Sequence, residues 1–148
     1  MSQTENFMRI LILNGPNLGL LGKREPEKYG TTSLKDIQSR LKKKFARVKF
    51  TFVQSNIEGE MVDRLNQALG RKYDGVVINP GAYGHYSYAI RDAVAALTVP
   101  VIEVHLTNVH AREEFRRHSV IAPVCNGVVA GLGPISYELA VRFLLEKK

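Results

Sequence analysis

Residues 75–105 read GVVINPGAYGHYSYAIRDAVAALTVPVIEVH, and the fold follows from this stretch. Gly75 to Ile78 is a short apolar run stopped by Asn79-Pro80-Gly81, the pattern of a buried strand bounded by turn residues. From Tyr86 to Leu97, the apolar residues Ile90, Ala93, Val94 and Leu97 recur on one helical face. Val101 to His105 returns to β-branched character and reads as the next strand. A strand, a helix and a strand in that order make a crossover unit with parallel strands.

The same alternation continues outward. Met8 to Leu13 (MRILIL) is a strand ending at Asn14-Gly15-Pro16-Asn17. Thr32 and Ser33 are candidate N-caps for a helix carrying Leu34, Ile37, Leu41 and Phe45. Val48 to Val53 is a strand, and Met61, Leu65, Ala68 and Leu69 mark a helix. Beyond the central unit come a short helical turn at Arg112 to Phe115, a strand at Gly127 to Ala130 and a closing helix at Ile135 to Glu146. Five strands alternating with helices predict an α/β, flavodoxin-like three-layer sandwich, with a parallel sheet in the order 2-1-3-4-5. The chain has 148 residues and shows no repeat or linker, which suits one domain over 1–148.

Lys+Arg 21 against Asp+Glu 14 gives a net charge of +7, which suits either nucleic acid or a small anionic substrate. The only basic block, Lys42-Lys43-Lys44, falls late in a helix, where cations complement the dipole and face water. The longest stretch without Asp, Glu, Lys or Arg, Ser119 to Tyr137, is broken by prolines and glycines, so no membrane span is expected. The single cysteine, Cys125, excludes an internal disulfide. The opening MSQTENFMRI lacks the pattern of a secretory signal, so a cytoplasmic protein is expected.

In a sheet of this order, ligands bind beyond the carboxyl ends of the strands at the switch point, here between the first and third strands. Three segments meet there. NGPNLGLLGKREPEKYG is glycine-rich and suits a mobile lid over about residues 19–30. It carries Asn17, Arg24 and Tyr29. A free tyrosine ionises near pH 10, so its base form is scarce at neutral pH unless a guanidinium favours the phenolate. Ordinary packing of Tyr29, with Arg24 facing water, remains the alternative. NPGAYGHYS places Asn79 at a strand end and His85 near a helix start, where the dipole disfavours a charged imidazole. A backbone-bonded histidine is the plainer alternative, and Asp92, deeper in that helix, reads equally as a solvated charge. In EVHLTNVHAREEFRRHS, Glu103 and His105 are two apart on a strand and point to one side. A carboxylate there orients and activates the histidine as a general acid or base. Thr107, Asn108 and nearby backbone amides suit a carboxylate ligand. Arg112 and Arg116, four apart, share a helical face, with pairing to Glu113 or Glu114 as the alternative.

The sequence has no phosphate-binding Gly-x-x-x-x-Gly-Lys-Ser/Thr loop, no Gly-x-Gly-x-x-Gly before a helix and no Gly-x-Ser-x-Gly elbow. His85, His105, His110 and His118 lack a metal-ligand spacing. What remains is acid–base chemistry on a small anion, with no cofactor and no metal expected.

NGPNLGLLGKREPEKYG, INPGAYGHYS and EVHLTNVHAREEFRRHSVIAPV closely resemble the type II 3-dehydroquinate dehydratases, over about Leu11 to Leu144. The resemblance implies anti elimination of water from 3-dehydroquinate, through an enolate, to 3-dehydroshikimate. It implies that Tyr29, beside Arg24, takes the C2 proton, and that a water held by Asn17 stabilises the enolate. His105, oriented by Glu103, protonates the leaving C1 hydroxyl. Asn79, Gly81 and the backbone at Leu106 and Thr107 bind the carboxylate and its neighbouring hydroxyl. His85, Arg116 and Asp92 bind the ring hydroxyls, Asp92 from a neighbouring subunit, while Arg112 stands near the lid. Trimers grouped into a homododecamer are implied as well. Thr107 replaces a usual serine, and Gly84 and Tyr86 flank His85 where threonines are common. The rival class is a non-enzymatic flavodoxin-like module, such as one that binds nucleic acid, which would need a basic stripe beyond the single lysine block.

Overall fold

Strand and helix periodicities sort the apolar residues of this chain onto two faces of one sheet. The computed structural model describes residues 7–70 and 72–147. The strands are β1 (Met8–Asn14), β2 (Val48–Gln54), β3 (Gly75–Asn79), β4 (Val101–His105) and β5 (Gly127–Ala130). All pair in parallel, in the order β2-β1-β3-β4-β5, as expected from the sequence. The helices are α1 (Pro26–Tyr29), α2 (Leu34–Lys44), α3 (Glu58–Leu69), α4 (Tyr88–Ala95) and α5 (Ile135–Glu146).

Successive strand side chains point to opposite faces, which produces two cores. Ile10, Ile12, Val77, Ile102 and Val104 pack with Ile37 and Leu41 of α2 and with Tyr137, Val141 and Leu144 of α5. Leu11, Leu13, Val76, Ile78 and Val101 pack with Met61 and Leu65 of α3 and with Ile90 and Val94 of α4. Near-continuous burial along β1, β3 and β4 is what a sheet covered on both faces requires.

Caps explain where the helices start. Ser33 opens α2 with a reciprocal capping box: its hydroxyl accepts from Asp36 N, and the Asp36 carboxylate accepts from Ser33 N. Of the two cap candidates, Ser33 takes the role. Lys44 at the end of α2, together with Arg40, pairs with Glu138 of α5 at 2.9 Å each, tying two helices on one face.

Two expected elements differ. The helix expected from Tyr86 begins at Tyr88, because the Ser87 hydroxyl accepts from Ile90 N and caps it there. The preceding Gly81–His85 forms a 3-10 turn. The helical turn expected at Arg112 to Phe115 is broken, since Arg112 is extended and separates 3-10 turns at Val109–Ala111 and Glu114–Arg117. The two arginines therefore do not share a helical face. The lid region carries short helical elements, a 3-10 turn at Leu18–Leu20 and α1.

The parallel register aligns the carboxyl ends of the central strands. Asn14 sits opposite Asn79 on β3, and Ile78 opposite Glu103 on β4. Gly15 then donates its N–H to Asn79 O at 2.8 Å, so close that an added Cβ would lie 2.5 Å from the Pro80 carbonyl oxygen. Only glycine permits this approach of the first loop to the third.

Candidate active site

The cleft at the switch point is lined by Asn17, Arg24, Tyr29, Asn79, Gly81, His85, His105, Leu106, Thr107, Arg112 and Arg116, with apolar neighbours and, among the described residues, no carboxylate. The first-loop, β3-loop and β4-loop residues thus meet as topology required. Glu103 lies behind His105 and is 1% exposed. Asp92 is exposed on α4 and does not line this chain's cleft.

Tyr29 ends α1, a single turn that starts on Pro26 after Glu25 in the left-handed region (φ 39°). Its ring is flanked by two guanidiniums. The Arg24 Cζ stands 5.6 Å from the ring centroid and the Arg112 Cζ 5.4 Å. Contact between Arg24 and Tyr29, which sequence alone left open, is therefore present. Both cations stand where negative charge developing on the ring is stabilised. Arg112 is held by Thr107, whose hydroxyl accepts from its Nη1 at 3.3 Å. The methyl that distinguishes Thr107 from serine leaves that bond intact.

His105 ends β4, and its Nε2 lies 3.0 Å from Glu103 Oε2, the same-side pairing that strand spacing predicts. The His85 ring stacks on it at 6.3 Å between centroids, with 18° between planes. His85 Nδ1 donates to His118 O at 2.9 Å, which leaves Nε2 as the acceptor. Burial lowers the His85 pKa from 6.5, and the charges on His105 and Arg116 add to this against the opposing His118 bond and Glu103. His85 ends the 3-10 turn, two residues before Ser87 caps α4.

Asn17 adopts the left-handed region (φ 67°), with its N–H held by Asn56 Oδ1 at 3.0 Å. Asn79 is fixed from two sides: its Oδ1 accepts from Gly81 N, and its Nδ2 donates to Tyr137 OH. Arg116 lines the cleft and also pairs with Glu113 at 2.9 Å, so both sequence alternatives hold for it. Cys125 lies away from this cleft, and burial pushes its thiol up to about 12.

Ser119, Asn56, Asn14 and Tyr137 were not singled out by the sequence. Asn56 sits in a segment that carries no motif, Ser119 closes the third quoted segment without a role assigned to it, and Tyr137 reads as one apolar position of α5. Asn14 alone had a signal, as a polar residue closing an apolar strand.

A doubly wound sheet whose cationic cleft holds a tyrosine against two guanidiniums and a histidine backed by a buried carboxylate defines an acid–base enzyme for a small anion. The dehydroquinase class II family model matches residues 8–145. A 3-dehydroquinate dehydratase of Bacillus licheniformis is 58% identical, over 92% of this chain and 94% of its own length. The Bacillus subtilis 3-dehydroquinate dehydratase is 54% identical, over 93% and 94%. The crystal structure of a type II dehydroquinase from Propionibacterium acnes superposes with a TM-score of 0.89 at 46% identity, covering 93% of this chain and 96% of that one. The chain belongs to the class II dehydroquinase family.

Proposed function

We infer that the chain dehydrates 3-dehydroquinate to 3-dehydroshikimate, acting as a carbon–oxygen hydro-lyase. The observation that carries its mechanism is the pairing, in one cleft, of Tyr29 between Arg24 and Arg112 with His105 backed by Glu103.

Tyr29, as phenolate, removes the proton on C2 beside the ketone, and the electron pair of that bond forms an enolate. The side chain of Asn17 holds a water against the enolate oxygen. The enolate then re-forms the ketone as the C1–C2 double bond appears and the C1–O bond breaks. His105, as imidazolium, gives its proton to the departing hydroxyl, so water leaves. Glu103 holds the ring throughout. The Tyr29 and His105 protons return to and from solvent, so the cycle needs no co-reactant.

The substrate carboxylate binds at the β4 loop, to the backbone at Leu106 and Thr107 and the Thr107 hydroxyl. Asn79 and the Gly81 turn hold the adjacent hydroxyl. His85 Nε2 accepts from a ring hydroxyl, and Arg116 donates to another. The segment over about 19–30 closes above the ring and excludes water, which strengthens every charge interaction inside. Asp92 completes the hydroxyl set from a neighbouring subunit of a trimer, and trimers assemble into a dodecamer. Exposure of Asp92 outside its own cleft supports that reading. Among the described residues, no helix is long and apolar enough to cross a membrane.

The test is a spectrophotometric assay for the conjugated enone on mixing purified protein with 3-dehydroquinate. Enone should form after exhaustive chelation, and borohydride with substrate should leave the activity intact. Chelator-sensitive activity, or inactivation by borohydride, would overturn the mechanism.

A further inference from the structure

Residues His118, Ser119 and Val120 run between the two histidines of the cleft. His118 O accepts from His85 Nδ1 at 2.9 Å, Ser119 Oγ reaches Glu103 Oε1 at 2.8 Å, and Val120 N donates to Gly84 O at 2.9 Å. The Ser119 oxygen also accepts from Ile121 N at 3.2 Å and from Ala122 N at 3.0 Å.

A serine hydroxyl has one proton and two lone pairs. Two backbone N–H groups occupy the lone pairs, so the proton has one direction left, toward Glu103 Oε1. A donor on Oε1 ties that oxygen to Ser119 and fixes how the carboxylate is turned. Oε2 is then a full acceptor for His105 Nε2, 3.0 Å away. Nδ1 of His105 has no partner among the described residues and belongs to a ring that lines the cleft.

We propose that Ser119 is a positioning residue for the acid: it holds the Glu103 carboxylate turned so that Oε2 accepts from His105 Nε2, which leaves Nδ1 as the nitrogen facing the substrate. Ser119 touches neither the substrate nor the reacting atoms. It sets which nitrogen of His105 delivers the proton by fixing the carboxylate behind it, a role seen where outer partners orient a histidine. This rests on the reading of His105 as the acid.

Ser119→Ala should lower kcat about tenfold, the loss of one hydrogen bond to a charged group. KM should stay within about twofold, because the ligand-binding groups keep their places. Ser119→Thr, which retains the hydroxyl, should restore most of the rate. In a Glu103→Gln background the alanine change should cost less than about twofold more, since the group it acts through is gone. If Ser119→Ala does not fold, Ser119→Cys is measured instead; its weak S–H donor should give a lowered kcat with KM unchanged. An unchanged kcat, a loss appearing in KM, no rescue by threonine, or losses that multiply with Glu103→Gln would overturn the role. His105→Ala separates the two readings. If it keeps near-normal kcat, the acid assignment itself fails; if it is inactive while Ser119→Ala is unaffected, only the role of Ser119 fails.

Discussion

Tyr137 lies 58 residues beyond Asn79 in the chain, yet its hydroxyl accepts the Asn79 side-chain amide at 2.9 Å. The same hydroxyl donates to Asn14 Oδ1, so one phenol links the ends of β1 and β3 from beneath the cleft. Tyr137 is fully buried, which disfavours its phenolate and pushes its pKa up; the Asn79 bond opposes that only in part. It therefore stays neutral, with its proton committed to Asn14.

Tyr137→Phe should destabilise the fold by about 1–3 kcal/mol, because two buried polar partners are left unpaired. It should also raise KM more than it lowers kcat, since Asn79 loses the bond that orients its amide toward the substrate. Urea unfolding and steady-state kinetics on the same protein check both effects. Unchanged stability with unchanged KM would show that Asn79 orients itself.

Tyr29→Phe keeps the ring between Arg24 and Arg112 but removes the proton acceptor. Its kcat should fall by about 10²–10⁴-fold, the usual contribution of a general base, with far-ultraviolet circular dichroism unchanged. Near-normal turnover would reassign the base.

His85 should titrate below 6.5 when followed by the NMR shift of its Cε1 proton, because burial opposes its charge, with His105 and Arg116 adding repulsion. The sign for stability follows. Between the lowered folded value and 6.5 the unfolded chain binds more protons, so stability rises with pH in that window and falls as the pH drops through it. Substrate affinity should weaken over the same descent, since the Nε2 acceptor becomes a donor. A midpoint at or above 6.5 would remove the basis for both.

Glu138 accepts from Lys44 and Arg40, and the Lys44 hydrogen bond first, then both cationic charges, hold its carboxyl below the ordinary 4.5. A depressed value means stabilisation that is present above 4.5 and lost as the pH falls through the folded value. Glu138→Gln should cost about 1 kcal/mol near neutral pH, since both cations are half-exposed and screened. In urea melts the gap from the parent should narrow as the pH falls below 4.5 and through the lowered folded value. A gap that persists in acid would mean the loss comes from packing.

The strands and both cores were legible because apolar runs and helical apolar spacings are local and this chain keeps them, and the strand order followed from matching five alternating strands to the flavodoxin-like topology. The Glu103–His105 pair was legible for the same reason, as two residues on one strand must share a side. Helix faces inferred from spacing alone failed at Arg112 and Arg116, where the chain turns extended between them; both still reach the cleft, by loop geometry rather than by period. The start of α4 moved because a single hydroxyl, Ser87, competes with apolar periodicity for the boundary. Tyr137 stayed hidden because its partners are distant in sequence, and Ser119, though it closes the stretch that Glu103 opens, because the loop that folds it back onto Glu103 leaves no spacing to read.

Assembly supplies the last expectation. Ile90, Ala93 and Val94 of α4 face the sheet and are buried, which turns Asp92 outward, where it is exposed and apart from the cleft of its own chain. Such a carboxylate acts on catalysis only if another copy presents its cleft to this helix, and closed cyclic symmetry then repeats the contact at every site. Asp92 would accept from a ring hydroxyl or orient Arg116 across that interface, so binding would depend on assembly. Light scattering should find about twelve subunits, with the trimer as the smallest active unit. Asp92→Ala should raise KM more than it lowers kcat, because it removes a binding contact and no proton transfer. A fully active monomer at assay concentration would refute both the assembly and the part given to Asp92, since an outward carboxylate has no route to a site on its own subunit.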